Sequence, residues 1–152
     1  MIERIYIDTS VIGGYFDVEF EKYTKPLFEK ILKKQYKVIF SKITDEELLE
    51  APIKVKALLQ SLPNEIIEYV EVSEEATELA NNYLKAKVVG KTSYADCLHI
   101  AIATIQKADL LISWNFKHIV NVQRIRGYNS VNLKFGYHLL EIRSPRDIYY
   151  EK

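Results

Sequence analysis

The stretch "RIYIDTSVIGG", residues 4–14, decides the fold. Ile5 and Ile7 alternate with other residues, and that period of two predicts a strand over 4–8. The strand ends on a lone aspartate, Asp8, after which Thr9, Ser10 and the pair Gly13–Gly14 mark a turn. A carboxylate that closes an apolar strand is expensive unless it is hydrogen-bonded or holds a cation. Asp8 is therefore the first candidate functional residue.

Outward from it, strands and helices alternate. "KYTKPLFEKILKK" (22–34) carries Leu27, Phe28, Ile31 and Leu32 on one helical face, and "KVIFS" (37–41) suits a buried strand. Helical patterning resumes at 45–50 and 53–61, broken near Pro52 and closed by Pro63. "IIEYVEV" (66–72) reads as a third strand, and Ser73 can cap a helix to about Lys87, before a turn at Gly90–Lys91. "TSYADCLHIAIATIQKA" (92–108) is an apolar helix and "DLLISW" (109–114) a fourth strand. A short polar helix to about Arg126, a last strand in "GYHLLEI" (136–142) and a helical turn opening at "SPRD" complete the pattern. Such alternation implies βαβ units, right-handed crossovers and a mainly parallel sheet of about five strands covered on both faces, an α/β three-layer sandwich. With no repeat, low-complexity segment or linker, residues 1–152 read as a single domain.

Composition narrows the class. Apolar residues make up 48% and charged residues 28% of 152, as in ordinary globular proteins. Lys plus Arg and Asp plus Glu both total 21, so nucleic-acid binding through bulk charge is disfavoured and only a local basic patch is left. Cys97 is the only cysteine, which excludes an intramolecular disulfide and points to a reducing compartment. The first residues lack an apolar leader, and no apolar run approaches the roughly 18 residues of a membrane span, so a cytoplasmic location is expected.

In an open parallel sheet, ligands bind beyond the carboxyl ends of the strands. Asp8 ends the first strand, Glu47 lies just past the second, Asp96 opens the helix before the fourth, and Asn115 follows the fourth. Carboxylates gathered at one edge repel each other unless a cation intervenes. Mg²⁺ or Mn²⁺ suits such hard oxygen donors, and either can activate a water and neutralise charge on a phosphoryl oxygen. Hydrolysis of a phosphodiester is the chemistry suggested. Helix capping competes as an explanation, because Thr44-x-x-Glu47 and Ser93-x-x-Asp96 both fit a capping pair. Asp109 reads as a strand-start residue and Asp45 and Glu46 as solvated first-turn acids. Cys97 and His99 read as core of an apolar helix, and no Cys/His spacing typical of zinc is present.

Four segments resemble the PIN-domain ribonucleases, especially the toxins of VapBC-type toxin–antitoxin pairs. "YIDTSVI" is similar to that family's first-strand motif, with Asp8 as first acid and Ser10 as its polar support. "SKITDEELLE" resembles the second motif and selects Glu47 over Glu46; "YADCLHIAIA" resembles the third and places an acid at Asp96. "ADLLISWNFKHI" is similar to the fourth, where an Asp or Asn follows a Ser or Thr by two, here Ser113 and Asn115. The resemblance implies strand order 3-2-1-4-5, a divalent cation on Asp8, Asp96 and Glu47, and endonuclease activity on RNA. It further implies 5′-phosphate and 3′-hydroxyl products, a homodimer, and a cognate antitoxin. Asn115 departs from the aspartate that many members carry, and it offers a carbonyl oxygen without charge. His118, where members often have an acid, reads as a surface residue or a phosphate contact.

A neutral chain must bind phosphates locally, and Lys117, His118, Arg124 and Arg126 cluster after the fourth strand, with Arg143 and Arg146 further on. Tyr15 or Phe16, if exposed, could stack on an unpaired base. Competing readings fit less well. A non-catalytic PIN-like scaffold sits poorly with three retained acids. Haloacid-dehalogenase phosphatases need a second Asp where Ser10 stands, a response-regulator receiver would need Glu71 or Glu74 as its phosphorylated acid, and Gly13–Gly14 alone makes no phosphate loop.

Overall fold

A computed structural model describes residues 1–151; Lys152, the last residue of the expected domain, lies outside them. The five strands are β1 (Glu3–Ile7), β2 (Tyr36–Ser41), β3 (Ile67–Val70), β4 (Leu110–Ile112) and β5 (Ile142–Arg143). They form one sheet in the order β3-β2-β1-β4-β5, and every neighbouring pair is parallel. Eight α-helices connect and follow them: α1 (Thr9–Gly14), α2 (Glu21–Leu32), α3 (Lys42–Glu47), α4 (Ile53–Gln60), α5 (Glu74–Lys85), α6 (Tyr94–Ile105), α7 (Val122–Lys134) and α8 (Pro145–Tyr150).

Alternation along the strands explains the layers. Tyr6, Ile39, Leu111 and Ile142 point into one core with α5, α6 and α7, whereas Ile5, Ile7, Val38, Phe40, Leu110 and Ile112 point into the other with α1, α2, α4 and α8. Both faces are apolar, as a parallel sheet buried on both sides demands. Each fully buried Ile, Leu or Phe in these cores contributes roughly 1.5–3 kcal/mol. The three-layer α/β/α sandwich and the strand order expected from the sequence are both observed. Among the described residues no helix is long and apolar enough to cross a membrane.

Several local expectations are corrected. The segment after Asp8 is a helical turn, α1, because Val11 and Ile12 are wholly buried against the second core. The helix after β2 starts at Lys42, so Thr44 and Glu47 lie inside it and form no capping box; Ser41 holds the N-cap position, and its hydroxyl is engaged with Tyr6 instead. Ser93 ends a 3₁₀ turn before α6 and makes no side-chain cap bond. Ser73 does cap α5, accepting from the Ala76 amide at 3.1 Å, and Ser144 and Asp147 form a reciprocal capping box on α8. Beyond β4, the chain turns through 115–121 before α7, which runs to Lys134 rather than ending near Arg126. The expected strand 136–142 shrinks to Ile142–Arg143 because Asn129 clamps Leu140, accepting from its amide at 2.7 Å and donating to its carbonyl at 3.0 Å.

Gly14, at the end of α1, has no room for a side chain. A Cβ there would stand 2.7 Å from the Trp114 indole, which is stacked on Phe20 and donates to Thr24 Oγ1 at 2.8 Å. Gly14→Ala should therefore lower stability by about 1–3 kcal/mol. Urea denaturation checks this, and an unchanged midpoint would mean that the indole is free to move.

Candidate active site

Asp8 follows β1 and is buried, at 4% exposure. Its amide donates to the Ile112 carbonyl at 3.4 Å, which carries the β1–β4 ladder up to the acid itself. Ser10 Oγ donates to Asp8 Oδ1 at 2.6 Å and Ser113 Oγ to Oδ2 at 2.7 Å. Each serine also accepts a backbone amide from the exit of β4: Trp114 on Ser10 at 2.9 Å, Asn115 on Ser113 at 2.9 Å. A hydroxyl at both positions is thus required to donate and accept at once, and the two together fasten residues 113–115 to the carboxylate.

Glu47 is the last residue of α3, with its side chain 36% exposed. Two donors meet on one of its oxygens: Thr9 Oγ1 at 2.6 Å from Oε1, and His99 Nε2 at 2.7 Å from the same atom. The other face of the His99 ring meets the Tyr6 hydroxyl at 2.6 Å from Nδ1, and Tyr6 in turn lies 2.7 Å from Ser41 Oγ. Asp96 stands in the first turn of α6, where Asn115 Nδ2 donates to its Oδ1 at 3.2 Å. Asn115 Oδ1 accepts the His118 amide at 2.9 Å, so the asparagine bridges the acid and the turn that follows. The sequence-expected residues Asp8, Ser10, Glu47, Asp96, Ser113 and Asn115 are therefore brought together at the carboxyl ends of β1, β2 and β4.

Charge at this edge is uneven. Burial pushes Asp8 above the ordinary aspartate range, against the opposing pull of His99 and of the Ser10 and Ser113 hydrogen bonds. Asp96 is raised too, first by burial; His118 and His99 oppose this, and Asp8 and Glu47 add to it by repulsion. Burial also works to raise Glu47, yet the His99 and Thr9 hydrogen bonds outweigh it and hold the group below its usual value. Among the described residues no three His, Cys, Asp or Glu side chains stand close enough together to hold a metal ion as placed, and no protein donor lies on Glu47 Oε2 or Asp96 Oδ2.

The basic candidates divide. Lys117 and Arg126 are exposed. His118, expected at the surface, is half-buried, with Nδ1 enclosed and unpartnered. Arg124 is half-buried and donates to the Val88 carbonyl; Arg143 pairs with Glu141 at 2.7 Å, and Arg146 lies over the Tyr23 ring. Tyr15 and Phe16 are half-buried and pack edge-on against each other, while Phe116, Tyr149 and Tyr150 are the exposed rings of the neighbouring aromatic cluster. Asp109 caps the start of β4's neighbourhood by accepting the Arg4 amide at 2.8 Å, and Cys97 is a buried free thiol pushed up to about 12 by desolvation.

Sequence reasoning passed over Tyr6 and His99. The signal was present: Tyr6 precedes Asp8 by two on a strand and His99 follows Asp96 by three on a helix, so each shares a face with an acid. A polar tip on each of two otherwise apolar faces was the trace of a network between them.

A parallel five-stranded sheet with acids after β1 and at the end of α3 and the start of α6, and a neutral Asn115 after β4, is the arrangement on which the PIN domain family model matches residues 5–118. The chain belongs to that family. Its fold is similar to VapBC2 from Rickettsia felis, bound to a DNA fragment from their promoter, at TM-score 0.57 and 15% identity, over 93% of this chain and 98% of the other. FitAcB from Neisseria gonorrhoeae is similar at TM-score 0.56 and 16% identity, covering 93% and 98%. FitAB bound to the IR36 DNA fragment gives TM-score 0.58 and 16% identity, with 97% of each chain covered. No curated protein matches by sequence.

The raised Asp8 sets a pH dependence for the cation-free protein. A carboxyl whose folded-state pKa lies above its unfolded value adds stability below the unfolded pKa, and that contribution is lost as pH rises through the folded value. In a chelating buffer, wild type should therefore lose stability relative to Asp8→Asn as pH climbs above the ordinary aspartate range. Melting temperatures across that climb check the sign; parallel curves would contradict it.

Proposed function

We propose that this chain is a divalent-cation-dependent endoribonuclease in which Asp8, Glu47 and Asp96 hold Mg²⁺ or Mn²⁺. The carrying observation is that Asp8, Glu47 and Asp96, from three distant segments, are gathered at one sheet edge by Ser10, Ser113, Thr9, His99 and Asn115. Carboxyl groups gathered at one edge repel each other, and a cation relieves that repulsion. The donors fit a hard cation: all are oxygens, and among the described residues Glu47 Oε2 and Asp96 Oδ2 have no protein donor. Mg²⁺ keeps several waters when few carboxylates hold it, which agrees with an open edge rather than a closed cage. PIN domain proteins are in general nucleases, and the family match supports the activity.

The bound cation supplies Lewis-acid chemistry, lowering the pKa of a water and offsetting charge that develops on a phosphoryl oxygen. Ser10 and Ser113 keep Asp8 fixed in that role by occupying one lone pair on each of its oxygens. Asn115, tied to Asp96 and to the turn at His118, orients the attacking water or the scissile phosphate. Water adds to phosphorus as the bond to the 3′ oxygen breaks, leaving a 5′-phosphate and a 3′-hydroxyl. Lys117, His118 and Arg126 are the basic groups placed to meet the strand's phosphates, whereas the Arg124 guanidinium is engaged with Val88. A homodimer in the cytoplasm restrained by a cognate antitoxin is the biological setting proposed; the likeness to the VapBC2 and FitAB complexes supports the partner protein.

Purified wild type should cut a mixed RNA pool with Mn²⁺, and stop on chelation. Asp8→Asn and Asp96→Asn should each lower the rate by no less than the roughly 100-fold that loss of an outer-shell partner can cause. Retained RNA binding without any cation-dependent cut in wild type would favour the scaffold reading, to which the uncharged Asn115 lends weight. In cells, expression of the chain alone should halt growth, and co-expression of a small neighbouring DNA-binding protein should restore it; indifferent growth would count against the toxin role.

A further inference from the structure

We infer that His99, oriented by Tyr6, is a positioning residue that decides which oxygen of Glu47 meets the cation. This rests on the reading of Asp8, Glu47 and Asp96 as the cation's holders.

The geometry fits one direction of hydrogen bonding along this chain. The Glu47 carboxylate only accepts, so the proton between it and His99 sits on Nε2. With that proton on Nε2, the tautomer leaves Nδ1 as an acceptor, and the Tyr6 hydroxyl, 2.6 Å away, is the donor that faces it. Having given its proton to Nδ1, the Tyr6 oxygen accepts from Ser41 Oγ. The order is Ser41 to Tyr6 to His99 to Glu47, drawn from β2, β1, α6 and α3. Tyr6 and Ser41 are 0% exposed and His99 2%, so solvent supplies no substitute for any member.

The consequence falls on a single atom. Glu47 ends a six-residue helix with a half-open side chain, and nothing in α3 itself fixes its rotamer. Thr9 and His99 both converge on Oε1 and fill it. Oε2 carries no protein donor among the described residues and is the oxygen left free for a cation. Glu47 therefore meets the cation through Oε2 alone, with Oε1 reserved for its two donors. A core histidine with a purely packing role would spend its nitrogens on nearby backbone. Here both nitrogens are spent on side chains from other elements, and the series ends on a candidate ligand.

The test is made on the full chain with Mn²⁺ alone and then with RNA. ¹⁵N spectra of the cation-free wild type should show His99 protonated at Nε2 and not at Nδ1; the opposite tautomer overturns the proposal. His99→Leu should weaken Mn²⁺ binding, read by calorimetry, about 10- to 100-fold, and should lower kcat while leaving KM for RNA unchanged. His99→Gln carries an amide donor to the Nε2 position and should recover most of the affinity, whereas His99→Asn, which reaches only to Nδ1, should not. If His99→Leu does not fold, Tyr6→Phe serves in its place. It should shift the His99 tautomer equilibrium and weaken Mn²⁺ binding in step, and an unchanged tautomer and affinity would sink the proposal. A wild-type chain that binds no Mn²⁺ would fail the nuclease reading itself. Wild-type binding equalled by folded His99→Leu would fail only this inference.

Discussion

The structure depends on one expensive object, a carboxylate buried at the end of the central strand. Removing an ion from water costs several kcal/mol even after relaxation. Hydrogen bonds to a charged group return about 1.5–3 kcal/mol each, and Asp8 has its two from Ser10 and Ser113. Burial outweighs these bonds and the pull of His99, and pushes Asp8 above the ordinary aspartate range. The deficit shapes its surroundings: because each serine must also accept an amide from Trp114 or Asn115, satisfying Asp8 sets the path of the chain leaving β4.

The sheet makes this economical. β1 lies between β2 and β4, so the three carboxyl ends are neighbours by topology, and parallel pairing points them the same way. α3 follows β2 directly and delivers Glu47; α6 packs on the sheet from the side that Tyr6 faces and delivers both Asp96 and His99. Two closely packed apolar cores carry the cost of an edge crowded with charge. The rigid indole of Trp114, fixed by Phe20, Thr24 and the tight approach of Gly14, holds the Ser113–Asn115 segment from its far side.

What could be read in the sequence followed from how local its cause was. β1 and β2 were legible because period-two patterning is written into adjacent residues, and the acids because each ends or opens an element in a fixed order. α1 was not, since its helical turn is imposed by burying Val11 and Ile12 under α2 and α4 rather than by "SVIGG" itself. The last strand misled for the same reason: "GYHLLEI" alternates well enough, but Asn129, on another element, captures the backbone of Leu140. Thr44 and Glu47 matched a capping box in spacing, yet the helix began earlier and Ser41 was drawn to Tyr6. His99 looked like core because its neighbours in α6 are core; only the sheet beneath shows what its nitrogens reach.

Asn115 makes physical sense in this setting. Asp8 and Asp96 already resist ionising together, and Glu47, held charged by His99 and Thr9, adds to the repulsion on Asp96. A fourth carboxylate at 115 would raise those acids further and would place acceptor against acceptor at the 3.2 Å contact with Asp96. The amide instead donates to Asp96 and accepts from the His118 backbone, so it organises the cation-free edge without charging it. On the reading proposed, a cation relieves the repulsion between Asp8, Glu47 and Asp96. The neutral fourth position then lowers the protein's charge burden before the cation arrives, at the expense of one anionic ligand after it.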